Sequence, residues 1–197
     1  MARTKGSVGA DTQLALINAA KRLIVRYGFE AMTLRQLAGE VGLQVGSIYR
    51  YMESKEALLA ELMNTHMDQL ITAWQALPEK GEGPEEQLKA FVAFHIAYHV
   101  ERREDVLIAN MELRALSEDM REQVVRKRRA YERNLEEILS AGMRSGTFSK
   151  ADVEVSTFAI LAMLTGVCIW YQEGGRLSVD EIIKVHTGLV LNGARGR

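Results

Sequence analysis

Residues 33–55 read TLRQLAGEVGLQVGSIYRYMESK, and this stretch decides the fold. Thr33 is followed three residues later by Gln36, a capping-box pattern that starts a helix. Leu34, Leu37, Ala38 and Val41 give that helix one apolar side. Gly42 adopts backbone conformations that other residues resist, so the helix is expected to end there. Leu43 follows as an apolar plug. Val45 and Ile48 then recur at a spacing of three in a second short helix, expected over Gln44–Tyr51, whose outer face keeps Gln44, Ser47, Tyr49 and Arg50. A major groove admits one helix of this size, and the pair suits a helix-turn-helix whose second helix reads DNA.

The residues after the turn are more specific than the turn itself. G-x-x-x-G-S-I-Y-R-Y-M-x-S-K-E-A-L-L, from Gly42 to Leu59, resembles the DNA-binding signature of the TetR family of one-component transcriptional regulators. The resemblance is strong from Ala15 to about Leu62 and extends beyond that only as helical layout. It implies an N-terminal helix-turn-helix fused to a C-terminal ligand-binding and dimerisation domain. By the same resemblance, Tyr49 and Lys55 hold DNA phosphates and Gln44, Val45 and Ser47 face bases. Thr33 and Arg50 complete the candidate DNA contacts. Val45 competes between a thymine methyl and the core. Met52 stands where the family usually has phenylalanine, a softer apolar plug. Gln44 replaces a small hydroxyl residue; it caps a helix less well but reaches further toward a base edge.

Composition agrees with an all-helical protein. Proline occurs only twice in 197 residues, aromatics make up 7%, and hydrophobic residues at 47% are ample for a core. The net charge of −1 is unevenly spread. Residues 1–55 hold eight Lys or Arg against four Asp or Glu, while the remainder hold 17 against 22. A basic head on an acidic body localises phosphate attraction at one end. Cys168, the one cysteine, excludes an internal disulfide and sits in an apolar run as a small hydrophobe rather than a redox group. No secretory leader is read at the N-terminus and no uninterrupted apolar run approaches a membrane span, so the expected compartment is the cytoplasm.

Along the chain, residues 1–10 are read as a flexible arm that follows the DNA backbone or is disordered. Residues 11–55 are the DNA-binding domain, opening with a helix from Asp11 to Tyr27. Residues 56–197 are the ligand-binding and dimerisation domain. Ser54 caps a long helix that crosses from head to body, and a rigid element shared by two domains can transmit a ligand-induced shift. Lys55 beside a helix amino end is odd electrostatically unless a DNA phosphate also lies there; the alternative is an ordinary solvated lysine.

In the body, helices are expected over Glu85–Val100, Val106–Leu116, Asp119–Ala141, Glu154–Tyr171 and from Ser178 onward, with 101–105 a corner and 142–150 a loop. Phe91, Phe94, Met111, Trp170 and Tyr171 are candidate apolar walls of an effector site, with His95, His99, Asn110 and Arg114 as its polar fixtures. His95 and His99 are four apart and share a helix side, but no third or fourth metal donor accompanies them, so no metal and no cofactor is expected; the alternative to pocket fixtures is a pair of neutral, satisfied interior or groove histidines. The basic run Arg121–Arg133 is a solvated face tied by neighbouring glutamates or a partner for a phosphate-bearing ligand. The NMELRAL stretch (110–116) before that helix loosely resembles TetR-type regulators responsive to acyl-coenzyme A thioesters. The last two helices offer small or apolar residues for pairing with a second copy: Ala159, Ala162, Thr165, Gly166, Ile169, Ile182, Val185 and Leu189.

These readings converge on a homodimeric repressor. It binds double-stranded operator DNA of inverted-repeat form and is released by a small hydrophobic effector, an acyl-coenzyme A being preferred. The alternatives are a repressor responsive to drugs or hydrophobic cations and, from another class, a helical structural adaptor that binds no DNA. No nucleophile–base pair or phosphate loop supports an enzyme, and no membrane partner is expected.

Overall fold

A computed structural model describes residues 5–196, and every regular element among them is helical. The helices are α1 (Lys5–Tyr27), α2 (Leu34–Glu40), α3 (Val45–Ile48), α4 (Lys55–Gln75), α5 (Gly83–Glu101), α6 (Arg103–Met111), α7 (Glu118–Ser145), α8 (Val153–Thr165), α9 (Val167–Trp170) and α10 (Val179–Arg195), with a 3-10 turn at Leu113–Ala115 between α6 and α7. They form two compact units: residues 1–66 with 107–125, and residues 67–106 with 126–197. The head therefore takes in a piece of chain that the sequence placed in the body.

Unit 1 is built around α1, α2, α3 and the first half of α4. Leu16, Ala19, Ala20, Leu23 and Ile24 of α1 pack with Phe29, Met32, Leu37, Ile48, Leu59 and Met63. Ile108, Ala109, Leu116 and Val124 complete this core, which explains why 107–125 belongs to it. Two carboxylates fix the same segment. Glu112 Oε1 accepts from the Phe29 amide at 3.1 Å, and a Glu56 oxygen accepts from the Ser117 amide. Such charge-assisted bonds are stronger than neutral ones.

Unit 2 has its own core. Trp74 meets Phe91 edge-on at 5.1 Å. Leu88, Val92, Ile96, Tyr131, Leu135, Leu139, Leu164, Ile182 and Val190 surround that pair. α7 contributes to it through Tyr131, Leu135, Ile138, Leu139 and Gly142, one buried stripe at helical spacing.

Several boundaries differ from the sequence reading, each for a local reason. α1 begins at Lys5, not Asp11, because no proline interrupts 5–10; residues 1–4 of the expected arm lie outside the described residues. The corner at 101–105 shrinks to Arg102, and α6 starts at Arg103 with Glu104 and Asp105 in its first turn, where acids suit the helix dipole. α7 runs on through Gly142 to Ser145 and stops where Gly146 takes φ +78°. The expected helix over Glu154–Tyr171 is two helices, broken at Gly166. By length and composition, Val153–Trp170 passes as a membrane span, with mean hydropathy 1.8 over 18 residues. Of that segment 22% is buried in the protein, at Thr157, Leu164, Val167 and Cys168, and the rest is exposed or half-buried.

Candidate DNA-reading surface and buried polar cluster

The capping box at α2 forms as its sequence requires. The Gln36 amide donates to Thr33 Oγ1 at 3.2 Å, and the Thr33 amide donates to Gln36 Oε1 at 2.8 Å. Gly42 follows α2 at φ +67°, a left-handed conformation in which a side chain would be strained. α3 is a single turn, shorter than Gln44–Tyr51, and residues 49–51 continue as turns: the Tyr51 amide donates to the Ile48 carbonyl. Ile48 is fully buried and anchors the turn, while Gln44, Val45, Gly46, Tyr49 and Arg50 face outward with Ser47 half-buried. Gln44 makes no capping bond to the helix it precedes, which leaves its amide for another partner. Val45, contested between core and surface, is 37% exposed.

Lys55 does more than sit beside a helix end. Its Nζ donates to the carbonyls of Met32 at 2.9 Å and Glu30 at 3.1 Å, and it lies 4.3 Å from the Phe29 ring centroid. Two of its three donors are thus committed to the α1–α2 connection. That connection is also held by Glu112 through the Phe29 amide. At the start of α4, the Ala57 amide donates to Ser54 Oγ at 2.9 Å, the cap expected from the sequence.

The candidate effector residues are drawn from both units. Asn110, Met111 and Arg114 belong to unit 1 and are exposed. Phe91, Phe94, His95, His99, Trp170 and Tyr171 belong to unit 2. Of these, Trp170 is 53% exposed and stacks on His186 at 6.2 Å. The rest of the group centres on His95. Its Nδ1 is 3.1 Å from the Tyr131 hydroxyl and its Nε2 3.0 Å from Thr165 Oγ1. His99 stacks on the His95 ring at 3.7 Å and its Nδ1 donates to the His95 carbonyl at 2.8 Å. Phe91 and Tyr131 flank the His95 ring at 5.9 and 5.8 Å. Burial holds the Tyr131 hydroxyl well above its ordinary pKa, so it stays a neutral donor and acceptor. A buried imidazole with a hydroxyl on each nitrogen needs no charge to be satisfied. Among the described residues, no group of three or more His, Cys, Asp or Glu is placed to hold a metal.

The sequence reading missed Tyr131 because it sits in the basic run RKRRAYER. The available signal was its place on the stripe through Val124 and Leu135. Within that run, Lys127 is tied to Asp68 at 2.6 Å and Arg128 is half-buried, its pKa lowered by desolvation. Arg121, Arg126, Arg129 and Arg133 remain exposed.

On α8 to α10, Ala159, Ala162, Ile169, Val185 and Leu189 of the candidate pairing surface are exposed. Ile182 is a correction: it is buried in the core of unit 2, because α10 turns that side toward α5. Thr165 is held by His95, and Gly166 is half-buried at the helix break. Val155 and Phe158, passed over in the sequence, join the exposed apolar set at 64% and 45%.

Two family models match this chain. Residues 16–62 match the model described as bacterial regulatory proteins, tetR family, and residues 81–194 match the tetracyclin repressor-like C-terminal domain. The chain belongs to the TetR family. As a TetR-family DNA-binding regulator it is not an enzyme. It is 29% identical over 201 residues to the HTH-type transcriptional repressor KstR2 of Rhodococcus jostii strain RHA1, covering 96% of this chain and 93% of that one. Among solved structures it resembles AibR, crystallised with isovaleryl coenzyme A and operator DNA, with 25% identity, TM-score 0.82 and coverage of 93% of this chain and 99% of AibR. It also resembles PfmR of Thermus thermophilus, with 28% identity, TM-score 0.80 and coverage of 89% and 96%.

Proposed function

We propose that this regulator is a homodimeric, cytoplasmic repressor that binds an inverted-repeat operator and leaves it on binding an acyl-coenzyme A thioester. The observation that carries the DNA half is the outward set Gln44, Val45, Tyr49 and Arg50 around the buried anchor Ile48. Gln44 reads a base edge; Tyr49 and Arg50 position the backbone. A two-fold dimer meets two half-sites about 34–36 Å apart, or at a related spacing. The exposed apolar side chains Val155, Phe158, Ile169, Val185 and Leu189 on α8 to α10 supply the surface for the second copy.

The effector class rests on two supports. AibR, a relative in fold and sequence, was crystallised with an acyl-coenzyme A. The cluster around His95 offers hydroxyls and imidazoles among aromatic rings. The likeness to AibR favours the thioester over the cationic drug. The exposed arginines of α7 offer forked donors to a nucleotide phosphate.

The test is a mobility-shift assay on the DNA upstream of this chain's own coding sequence, followed by titration at fixed salt with isovaleryl coenzyme A, its free acid and a hydrophobic cation. Release by the thioester alone supports the proposal. Release by the cation with no response to any thioester overturns the effector class. In the same assay Gln44→Ala relaxes preference at one operator position; equal weakening on every sequence removes Gln44 as a base reader.

A further inference from the structure

Gly46 is the second residue of α3 and is exposed. Two other glycines show what a fold can ask of this residue type. Gly42 holds φ +67°, a conformation that side chains resist, and a Cβ added at Gly142 would stand 1.9 Å from the Phe148 ring. Gly46 answers neither demand. Its φ is not positive, and a Cβ added there meets nothing within 4 Å. Glycine is also the poorest helix former after proline, so alanine would suit this turn better. The reason for the missing side chain therefore lies outside the free protein.

The neighbours indicate what lies there. Val45 precedes Gly46 and is 37% exposed, and Tyr49, three residues on and 56% exposed, shares its side of the turn. Ile48, fully buried, anchors the turn so that this side faces outward. Gly46 is thus a gap in a face of larger side chains, with a bare Cα and no side-chain hydrogen-bonding group. In the major groove, base edges present donors, acceptors and one apolar group, the C5-methyl of thymine. An apolar gap the size of one methyl matches that group. We propose that Gly46 is a specificity-determining residue, receiving a thymine methyl against its Cα in each operator half-site. The inference rests on the reading of α3 as the groove-facing element and adds a residue and the base it selects. Gln44 selects by hydrogen bonding, whereas Gly46 selects by being small.

Sites that the full chain selects from random-sequence DNA test it, with uracil replacing each thymine of one half-site in turn at fixed salt. Uracil differs from thymine only by the lost methyl. For the wild type, one such replacement is expected to weaken binding about fourfold, the value of one buried methyl group. Gly46→Ala is expected to melt at or above the wild-type temperature. It should nevertheless bind the thymine site at least about tenfold more weakly, because its new methyl takes the same space. On the uracil site the order reverses, and Gly46→Ala binds it better than the thymine site. A glycine with only a structural role would not invert that preference. A Gly46→Ala variant that melts below wild type overturns the inference, since the fold then needs the glycine. Equal weakening on thymine and uracil sites also overturns it, making Gly46 a spacer against the DNA backbone. So does a uracil effect that persists in Gly46→Ala and vanishes in Val45→Ala, which assigns the methyl to Val45. A wild type indifferent to every uracil leaves the gap without its ligand and overturns the inference while the DNA reading stands. Failure to select any sequence removes the DNA reading of α3 itself, and the inference with it.

Discussion

The ammonium nitrogen of Lys55 lies 2.9 Å from the backbone oxygen of Met32 and faces the Phe29 ring at 4.3 Å. A lysine expected to reach a phosphate is thus already bonded to the connection that sets the entry of α2. Lys55→Met should lower the stability of the free protein by about 1–2 kcal/mol, from two hydrogen bonds to a charged group and a cation–π contact near the surface. Urea unfolding at constant salt checks this. A midpoint equal to wild type, with DNA binding weakened and the salt slope reduced by about one, would make Lys55 a phosphate contact alone.

Tyr131 and His95 give a pH prediction. Burial raises the folded pKa of the Tyr131 hydroxyl well above its ordinary value of 10.0. A phenol with a raised folded pKa contributes stability that is fully present below the unfolded value. That stability is lost as pH rises from about 10 toward the folded pKa. Alkaline titration followed at the tyrosinate band should show Tyr131 ionising last and only together with unfolding, behind Tyr98, whose hydroxyl burial also raises. Tyr131→Phe should abolish that delayed step. It also leaves His95 Nδ1 without the hydroxyl, at a cost of about 1–3 kcal/mol in urea unfolding.

The fold was legible in the sequence because its signals are local. The Thr33–Gln36 and Ser178–Glu181 boxes form as their spacing requires, and Gly42 takes the positive φ its position demands. Gly28, just past the end of α1, likewise sits at positive φ. What escaped depends on contacts far apart in the chain. Nothing near Glu112 announces that its carboxylate holds the Phe29 amide 83 residues away. Periodicity marked α8 and α9 as apolar on most sides, yet could not tell the inward Ile182 from the outward Val185 on α10. That choice is made by packing against α5. Chemical type alone groups Arg114 with His95, whereas the chain assigns them to different units.

Cys168 should be inert in the native protein. Burial pushes its thiol up to about 11, and only 2% of the residue is exposed. At pH 8 about one molecule in a thousand carries the reactive thiolate even before access is considered. Alkylation by iodoacetamide should therefore be slow in buffer and fast in urea. Rapid labelling in buffer, with circular dichroism unchanged, would show a thiol far more accessible than this packing permits.

Gly142 provides the sharpest test of packing in unit 2. It lies inside α7, where replacing glycine by alanine ordinarily stabilises by about 1 kcal/mol. Here an added Cβ would stand 1.9 Å from Cδ2 and 2.3 Å from Cε2 of Phe148. Phe148 is only 3% exposed, and its amide donates to the Gly142 carbonyl at 3.0 Å, so neither ring nor backbone has room to retreat. Overpacking of this kind costs about 1–3 kcal/mol and outweighs the propensity gain. Gly142→Ala should therefore lower the melting temperature. Phe148→Leu alone should also destabilise, by leaving a space. The double variant Gly142→Ala with Phe148→Leu should lose less than the sum, because the methyl fills part of what the ring vacates. A single Gly142→Ala variant that melts above wild type would mean that the ring does not lie over α7 at this turn.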